Sequence, residues 1–187
     1  DVEGVRYKEP KLKIMGVEAV KSSTPAACRE KIKEALTIIM TKDNQELNSF
    51  IQDFRKDFMD LKPELIAYPR SVNGLNKWTE SHNLFKKGAP IHCKGAILYN
   101  HLLQDKKLQG KYPYIQEGDK IKFLHMKTPN VYQSTSISFM TKLPNELNLH
   151  NFIDYDMQFE KSFVEPLKFI TNIIRWQIDS SYGTQGT

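Results

Sequence analysis

Residues 25–61 read PAACREKIKEALTIIMTKDNQELNSFIQDFRKDFMDL, and the spacing of their apolar side chains decides the fold class. Cys28, Ile32, Ala35, Leu36 and Ile39 recur at helical intervals, with Arg29, Lys31 and Lys33 off that stripe, so a helix is predicted from about Pro25 to Met40. Lys21-Ser22-Ser23-Thr24 leads into it. Ser or Thr before Pro is a helix-start signal, because the hydroxyl caps a free N–H and Pro fits the first turn. Asp43 or Asn44 then caps a second helix to about Leu61. Its stripe is Leu47, Phe50, Ile51, Phe54, Phe58 and Leu61, opposite Asp53, Arg55, Lys56 and Asp57. Helices joined by so short a loop pack antiparallel.

Outward from this pair the chain is more broken. Pro63 ends the second helix, and residues 64–90 read as irregular pieces punctuated by Pro69, Gly74 and Gly88. A third helix is predicted over Ile91 to Gln104 and a strand over Asp119 to Met126, with Ser134 to Met140 as its partner. A last helix runs from about Tyr155 to Ile174 on Phe159, Phe163, Leu167, Ile170 and Ile174, and Pro166 is expected to kink or split it. Before the helical pair, Gly4-Val5-Arg6-Tyr7 reads as a hairpin end and Leu12-Lys13-Ile14-Met15 as a short extended segment. Residues 180–187 hold Ser, Gly, Thr and Gln and are expected to be disordered. The fold class is therefore α+β, mainly helical.

Composition narrows the function. The chain has 187 residues, enough to bury a core without staples. Lys plus Arg is 27 against 22 Asp plus Glu, a net charge of +5, which favours an anionic partner. No apolar run approaches the roughly 18 residues of a membrane helix. Two cysteines, Cys28 and Cys93, make neither a disulfide framework nor a four-cysteine zinc site. With no signal stretch, a reducing intracellular setting is the expectation. The chain opens on Asp1 rather than Met and is expected to be a piece of something longer.

No catalytic centre is legible. His92 and Cys93 are adjacent, but neighbours on a helix diverge by about 100° and do not face each other, so a half-buried Cys beside a surface His is expected. His82, His92, Cys93 and His101 match no zinc spacing. Asp154 and Asp156 read as acids at a helix start, favoured there by the dipole. There is no Gly-rich phosphate loop. The basic groups are more suggestive: Lys8, Lys11, Lys13 and Lys21; Lys86, Lys87 and Lys94 with His92; Lys106, Lys107 and Lys111; Lys120, Lys122 and Lys127. At Lys21-Ser22-Ser23-Thr24 a lysine, hydroxyls and free helix N–H groups can meet one phosphate.

Three stretches carry a resemblance. DVEGVRY at 1–7, EPKLKIMG at 9–16 and KSSTP at 21–25 form the first, PIHCKG at 90–95 with Leu98-Tyr99-Asn100 the second, and EKSFVEPL at 160–167 the third. In order and spacing they resemble the passage from palm to thumb in the family B replicative DNA polymerases of T-even-type tailed phages. The resemblance implies the end of a palm domain at 1–20, a thumb at 21–179 and a tail at 180–187. It implies a thumb-type helical subdomain with short irregular strands, preceded by the last palm strands. The metal-binding aspartates, and so the Mg2+ of the intact polymerase, would lie upstream of Asp1, leaving no catalytic residue, metal ligand or cofactor in this piece. Lys13, Met15, Gly16, Lys21, Ser22 and Thr24 would lie against the primer strand, and His92, Lys94 and Lys161 would add backbone contacts. Gly16 would permit close approach to the duplex. Glu165 departs from the family, where a basic residue is usual. The implied partners are primer–template DNA and the rest of the polymerase (palm, fingers, exonuclease), in the cytoplasm of an infected bacterial host. A sliding clamp is an open partner, because the tail that docks on it in this family here holds one aromatic, Tyr182.

Two other classes stand beside this reading. A protein-interaction module, such as a separate subunit docking on the catalytic half of a split polymerase, would present Trp78, Phe85 or Trp176. A hydrolase would use His92 or Cys93, and its thiol would label fast at neutral pH.

Overall fold

The structure is a computed structural model, and it describes residues 20–179. In chain order these form α1 (Ala26–Thr41), α2 (Asn44–Phe58), the single turn α3 (Pro63–Ile66), β1 (Tyr68–Ser71), the single turn α4 (Leu75–Trp78), α5 (Ile91–Asp105), β2 (Lys120–His125) and β3 (Ser136–Phe139). Two 3-10 turns follow at Asn145–Leu147 and His150–Phe152, then α6 (Tyr155–Phe159), a π-helical stretch (Glu160–Val164) and α7 (Glu165–Ile173). The chain is α+β and mainly helical, with a small antiparallel sheet. It divides into two compact units, one of residues 62–158 and one of the residues up to 61 and from 159.

In the flanking unit the predicted stripe of α1 is the buried set: Cys28, Ile32, Ala35, Leu36 and Ile39. Asp43 caps α2 by accepting the Glu46 N–H at 2.9 Å. Aromatic rings knit α2 to the return of the chain. Phe54 lies 4.8 Å from Phe163 and 5.6 Å from Phe159, and Phe58 lies 5.1 Å from Phe159, all edge-on. Such pairs add about 0.5–1.5 kcal/mol each beyond the area they bury. Arg55 donates to Glu160 at 2.8 Å with its guanidinium 4.5 Å above the Phe159 ring. Asn44 and Asn48, one turn apart, both donate to the Gln177 carbonyl at 2.8 Å and accept the N–H groups of Gln177 and Asp179 at 2.8 Å. The two side-chain amides thus hold the chain beyond α7 as a neighbouring strand would.

The middle unit is built on the sheet β1-β2-β3. Tyr68 faces Phe123, Arg70 faces Ile121, Phe123 faces Ser138 and His125 faces Ser136. Alternation therefore puts Tyr68, Arg70, Phe123, Ser136 and Ser138 on one face, and Leu124, Ile137 and Phe139, all fully buried, on the other. Helix α5 lies on the first face. At Gly95 the approach is backbone to backbone: a Cβ there would come within 2.6 Å of the Ser138 nitrogen and 2.8 Å of the Ile137 carbonyl carbon. The small side chains beneath make this contact polar as well as close. Ser136 Oγ donates to the Ile91 carbonyl at 2.6 Å and Ser138 Oγ to the His92 carbonyl at 2.9 Å.

Three expectations change, and one is met. Residues 64–90 are not all irregular, since Tyr68–Ser71 is an edge strand, the position in which a sheet tolerates Pro69. Thr24 does not cap α1. Pro25 is the N-cap, and the Thr24 hydroxyl instead accepts the Lys21 N–H at 2.8 Å, closing a turn. The last helix is split as expected at Pro166, with a π-helical stretch directly ahead of Glu165 and Pro166. Pro166 has no N–H for the Ser162 carbonyl and its ring crowds that carbonyl, and a wider turn accommodates both. Cys93 is fully buried, not half-buried, with its Sγ 3.4 Å from the Asn73 carbonyl. The segments read at 1–20 and the tail at 180–187 fall outside the described residues, apart from Val20.

Two predictions follow from the middle unit. Gly95→Ala drives a methyl into β3 and is expected to cost about 1–3 kcal/mol, the usual range for overpacking, in chemical denaturation. A change under about 0.5 kcal/mol, the scale of an inert surface substitution, contradicts the close contact. Separately, Lys111 Nζ is 2.9 Å from Glu146, and Tyr112 Oη donates to the same carboxylate at 2.9 Å. The Lys111 hydrogen bond above all, then the backbone and Tyr112, holds Glu146 down to about 2. A depressed carboxylate gives stability that is full above its unfolded range and is lost as pH falls towards about 2. Thermal melts of the chain and of Glu146→Gln should converge across that acid range, and a constant gap contradicts the pairing.

Candidate nucleic-acid interface

The flanking unit carries Lys21, Ser22, Thr24 and Lys161. Lys21 and Ser22 are exposed, in a tight turn closed by the Thr24 N–H to the Lys21 carbonyl at 3.0 Å and pinned by Arg29, which donates to the same carbonyl at 2.8 Å. The turn fixes the backbone and leaves the Lys21 ammonium in solvent. Thr24 is buried and serves as the turn's own acceptor. Lys161 is exposed on the π-helical stretch. That stretch meets α1 where Cys28 Sγ and Ser162 Oγ lie 3.4 Å apart. Lys13, Met15 and Gly16 lie outside the described residues.

The middle unit carries His92 and Lys94 on the first turn of α5, where backbone N–H groups are free of helical partners. His92 is half-buried, its ring 6.4 Å from Phe123. Burial first, then the charge of Arg70, holds it below the usual imidazole range, against a hydrogen bond with the Ser71 backbone. Lys94 Nζ sits 5.5 Å over the Phe85 ring. Among the described residues none of Lys21, Lys94 or Lys161 is ion-paired with a carboxylate.

Arg70 is the neighbour that sequence reasoning missed. Its guanidinium lies 5.9 Å over Tyr68 and 5.6 Å over Phe123, rings that themselves stack at 4.9 Å. The signal was present as the alternation of Tyr68 and Arg70, but alternation has meaning only once 68–71 is known to be a strand. Trp78, Phe85 and Trp176, the aromatics of the interaction-module reading, are each half-buried.

The other candidate chemistries find little geometry. Cys93 Sγ lies 3.4 Å from the Asn73 carbonyl, and burial, then Glu117, pushes the thiol up. Cys28 is pushed up to about 11 by burial. Asp154 accepts the Met157 N–H at 3.0 Å, as an acid at a helix start does. Among the described residues no group of three or more His, Cys, Asp or Glu could hold a metal ion, and no helix is long and apolar enough to cross a membrane.

Comparison with known proteins decides what this basic surface belongs to. Over 171 residues, 89% of this chain, it is 30% identical to the DNA-directed DNA polymerase of Enterobacteria phage T4. Over 177 residues, 92% of the chain, it is 32% identical to the DNA-directed DNA polymerase of Escherichia phage RB69. The chain is homologous to phage DNA-directed DNA polymerases. It spans 18% and 19% of the lengths of these two relatives. No protein-family model matches it. The resemblance read from the three motif stretches is thus borne out at the level of the polymerase family.

Thiol chemistry gives a simple check on the buried cysteines of this polymerase homologue. At neutral pH the folded chain should label slowly at both Cys28 and Cys93, and both should label at once in denaturant. Fast labelling of Cys93 in the folded chain would restore the nucleophile reading.

Proposed function

We propose that this chain is the duplex-holding part of a phage replicative DNA polymerase: the end of the palm at 1–20 and the thumb at 21–179. It grips primer–template DNA through the phosphate backbone, and polymerisation belongs to the intact enzyme. The observation that carries this reading is the homology to phage DNA-directed DNA polymerases over about nine-tenths of the chain. The exposed or half-buried lysines without carboxylate partners among the described residues support it.

The physics suits the role. An enzyme that slides must hold phosphates and ignore bases. Lys21 and Ser22 on a rigid turn, with Lys13, Met15, Gly16 and Thr24 beside them in sequence, are assigned to the primer strand. His92, Lys94 and Lys161 are assigned to backbone contacts. Thr24 acts by shaping the turn that presents Lys21. By the family resemblance the Mg2+ of catalysis would be held by residues upstream of Asp1, and no step of the holding function runs through a metal. The partners are primer–template DNA and the remainder of the polymerase, in an infected host cell, with the sliding clamp left open.

Duplex binding by this chain should be insensitive to base sequence and fall with salt, each neutralised phosphate contributing a log–log slope of about −0.9. Lys21→Glu and Lys94→Glu should each weaken binding and flatten that slope by about one contact. Equal affinity and slope for the chain and the double reversal would overturn the contact assignment.

A further inference from the structure

The duplex-holding surface of the middle unit has a member that neither motif nor resemblance supplied. Arg70 stands on β1, an edge of the sheet, and is half-buried. Its guanidinium rests on the Tyr68 and Phe123 rings, and its Nη1 donates to the Pro69 carbonyl at 3.1 Å. One nitrogen is thereby used on a neighbouring carbonyl, and the charge lies within cation–π range of both rings. A guanidinium has five N–H donors in a rigid fork. Among the described residues no carboxylate is ion-paired with it. Elsewhere in the chain the partly buried guanidinium of Arg55, likewise laid on a ring, has its acid, Glu160, at 2.8 Å. The same arrangement without an acid leaves a preorganised cation.

The surroundings sharpen the point. His92, on the first turn of α5, is close enough to Arg70 to feel its charge, and its ring leans on the same Phe123. Two basic side chains therefore meet over one aromatic shelf beside a helix N-terminus. With His92 held below the usual imidazole range, Arg70 carries the charge of the pair. An anion placed against it satisfies the guanidinium fork and the free helix N–H groups together. Planar, bidentate recognition is what phosphate oxygens offer to arginine.

We propose that Arg70, over the Tyr68–Phe123 stack beside His92, binds one phosphodiester of the DNA backbone. This rests on the duplex-holding reading, and it adds a contact on β1 to those on α5. Tyr68 and Phe123 are positioning residues: their rings stand beside the guanidinium and touch no phosphate.

The test is duplex binding by the 187-residue chain as a function of salt, read by fluorescence anisotropy with a labelled primer–template duplex. Arg70→Ala should weaken binding about tenfold and reduce the slope by about 0.9, one phosphate's worth. Arg70→Lys should restore the slope, because the charge returns, but only part of the affinity, because an ammonium does not form a fork. Lys168→Ala, which removes an exposed cation on α7, should leave slope and affinity unchanged. Unchanged binding by Arg70→Ala overturns the Arg70 assignment alone. An equal loss in Lys168→Ala also overturns it, since the effect would then be one of net charge. Absence of salt-dependent duplex binding by the unaltered chain overturns the duplex-holding reading, and this assignment with it. Thermal melts of Arg70→Ala and Arg70→Lys that match the unaltered chain keep a folding defect from standing in for a binding one.

Discussion

The contact of α5 with β3 at Gly95 is the constraint on which the middle unit depends. With no Cβ at that position, the helix backbone comes down onto the Ser138 nitrogen and the Ile137 carbonyl carbon. Ser136 and Ser138 then hydrogen-bond the carbonyls of Ile91 and His92. The first turn of α5 is fixed by main-chain contacts, and whatever side chains stand on it are fixed with it. His92 and Lys94 stand there. A bulkier residue at 95 would leave those side chains on a helix free to tilt. The same face of the sheet, carried across β2 to β1, holds the Tyr68–Phe123 stack and Arg70. A single close approach therefore relates the basic residues of two elements.

The flanking unit solves a related problem by other means. There Lys21 is held by a turn, closed by the Thr24 N–H and hydroxyl and pinned by Arg29. The helices behind it are locked by the edge-on rings of Phe54, Phe58, Phe159 and Phe163. Side-chain amides of Asn44 and Asn48 tie down the returning chain at 177–179. In both units the exposed cations sit on backbone that has little freedom. This suits the proposed phosphate contacts of each unit, because disorder in the protein would subtract from each of them.

Some of this was legible in the sequence. The stripes on α1 and α2 were, because a 3.6-residue period over 15 residues admits few other readings. So were Asp43 as a cap and the two hydrophobic strands. The edge strand Tyr68–Ser71 was not, because four residues containing Pro69 carry no periodic signal of their own. Arg70 was lost with it. Thr24 was read as a cap from its place before Pro25, and its true partner, the Lys21 N–H, lies on the other side. Asn48 carries no apolar signal, and its burial comes with main chain 129 residues away. Local pattern reports what a residue does within its own element, and these residues act across elements. The polymerase assignment came from motif resemblance rather than from any of this physics, and the basic surface alone would not have specified it.

The most direct test of the central claim is amide hydrogen exchange of the chain with and without a primer–template duplex at low salt. The account predicts slowed exchange at residues 21–24, in the first turn of α5 and along β1, independent of duplex sequence, and reversed by high salt. Protection confined to other surfaces, or none while the duplex is bound, would contradict it.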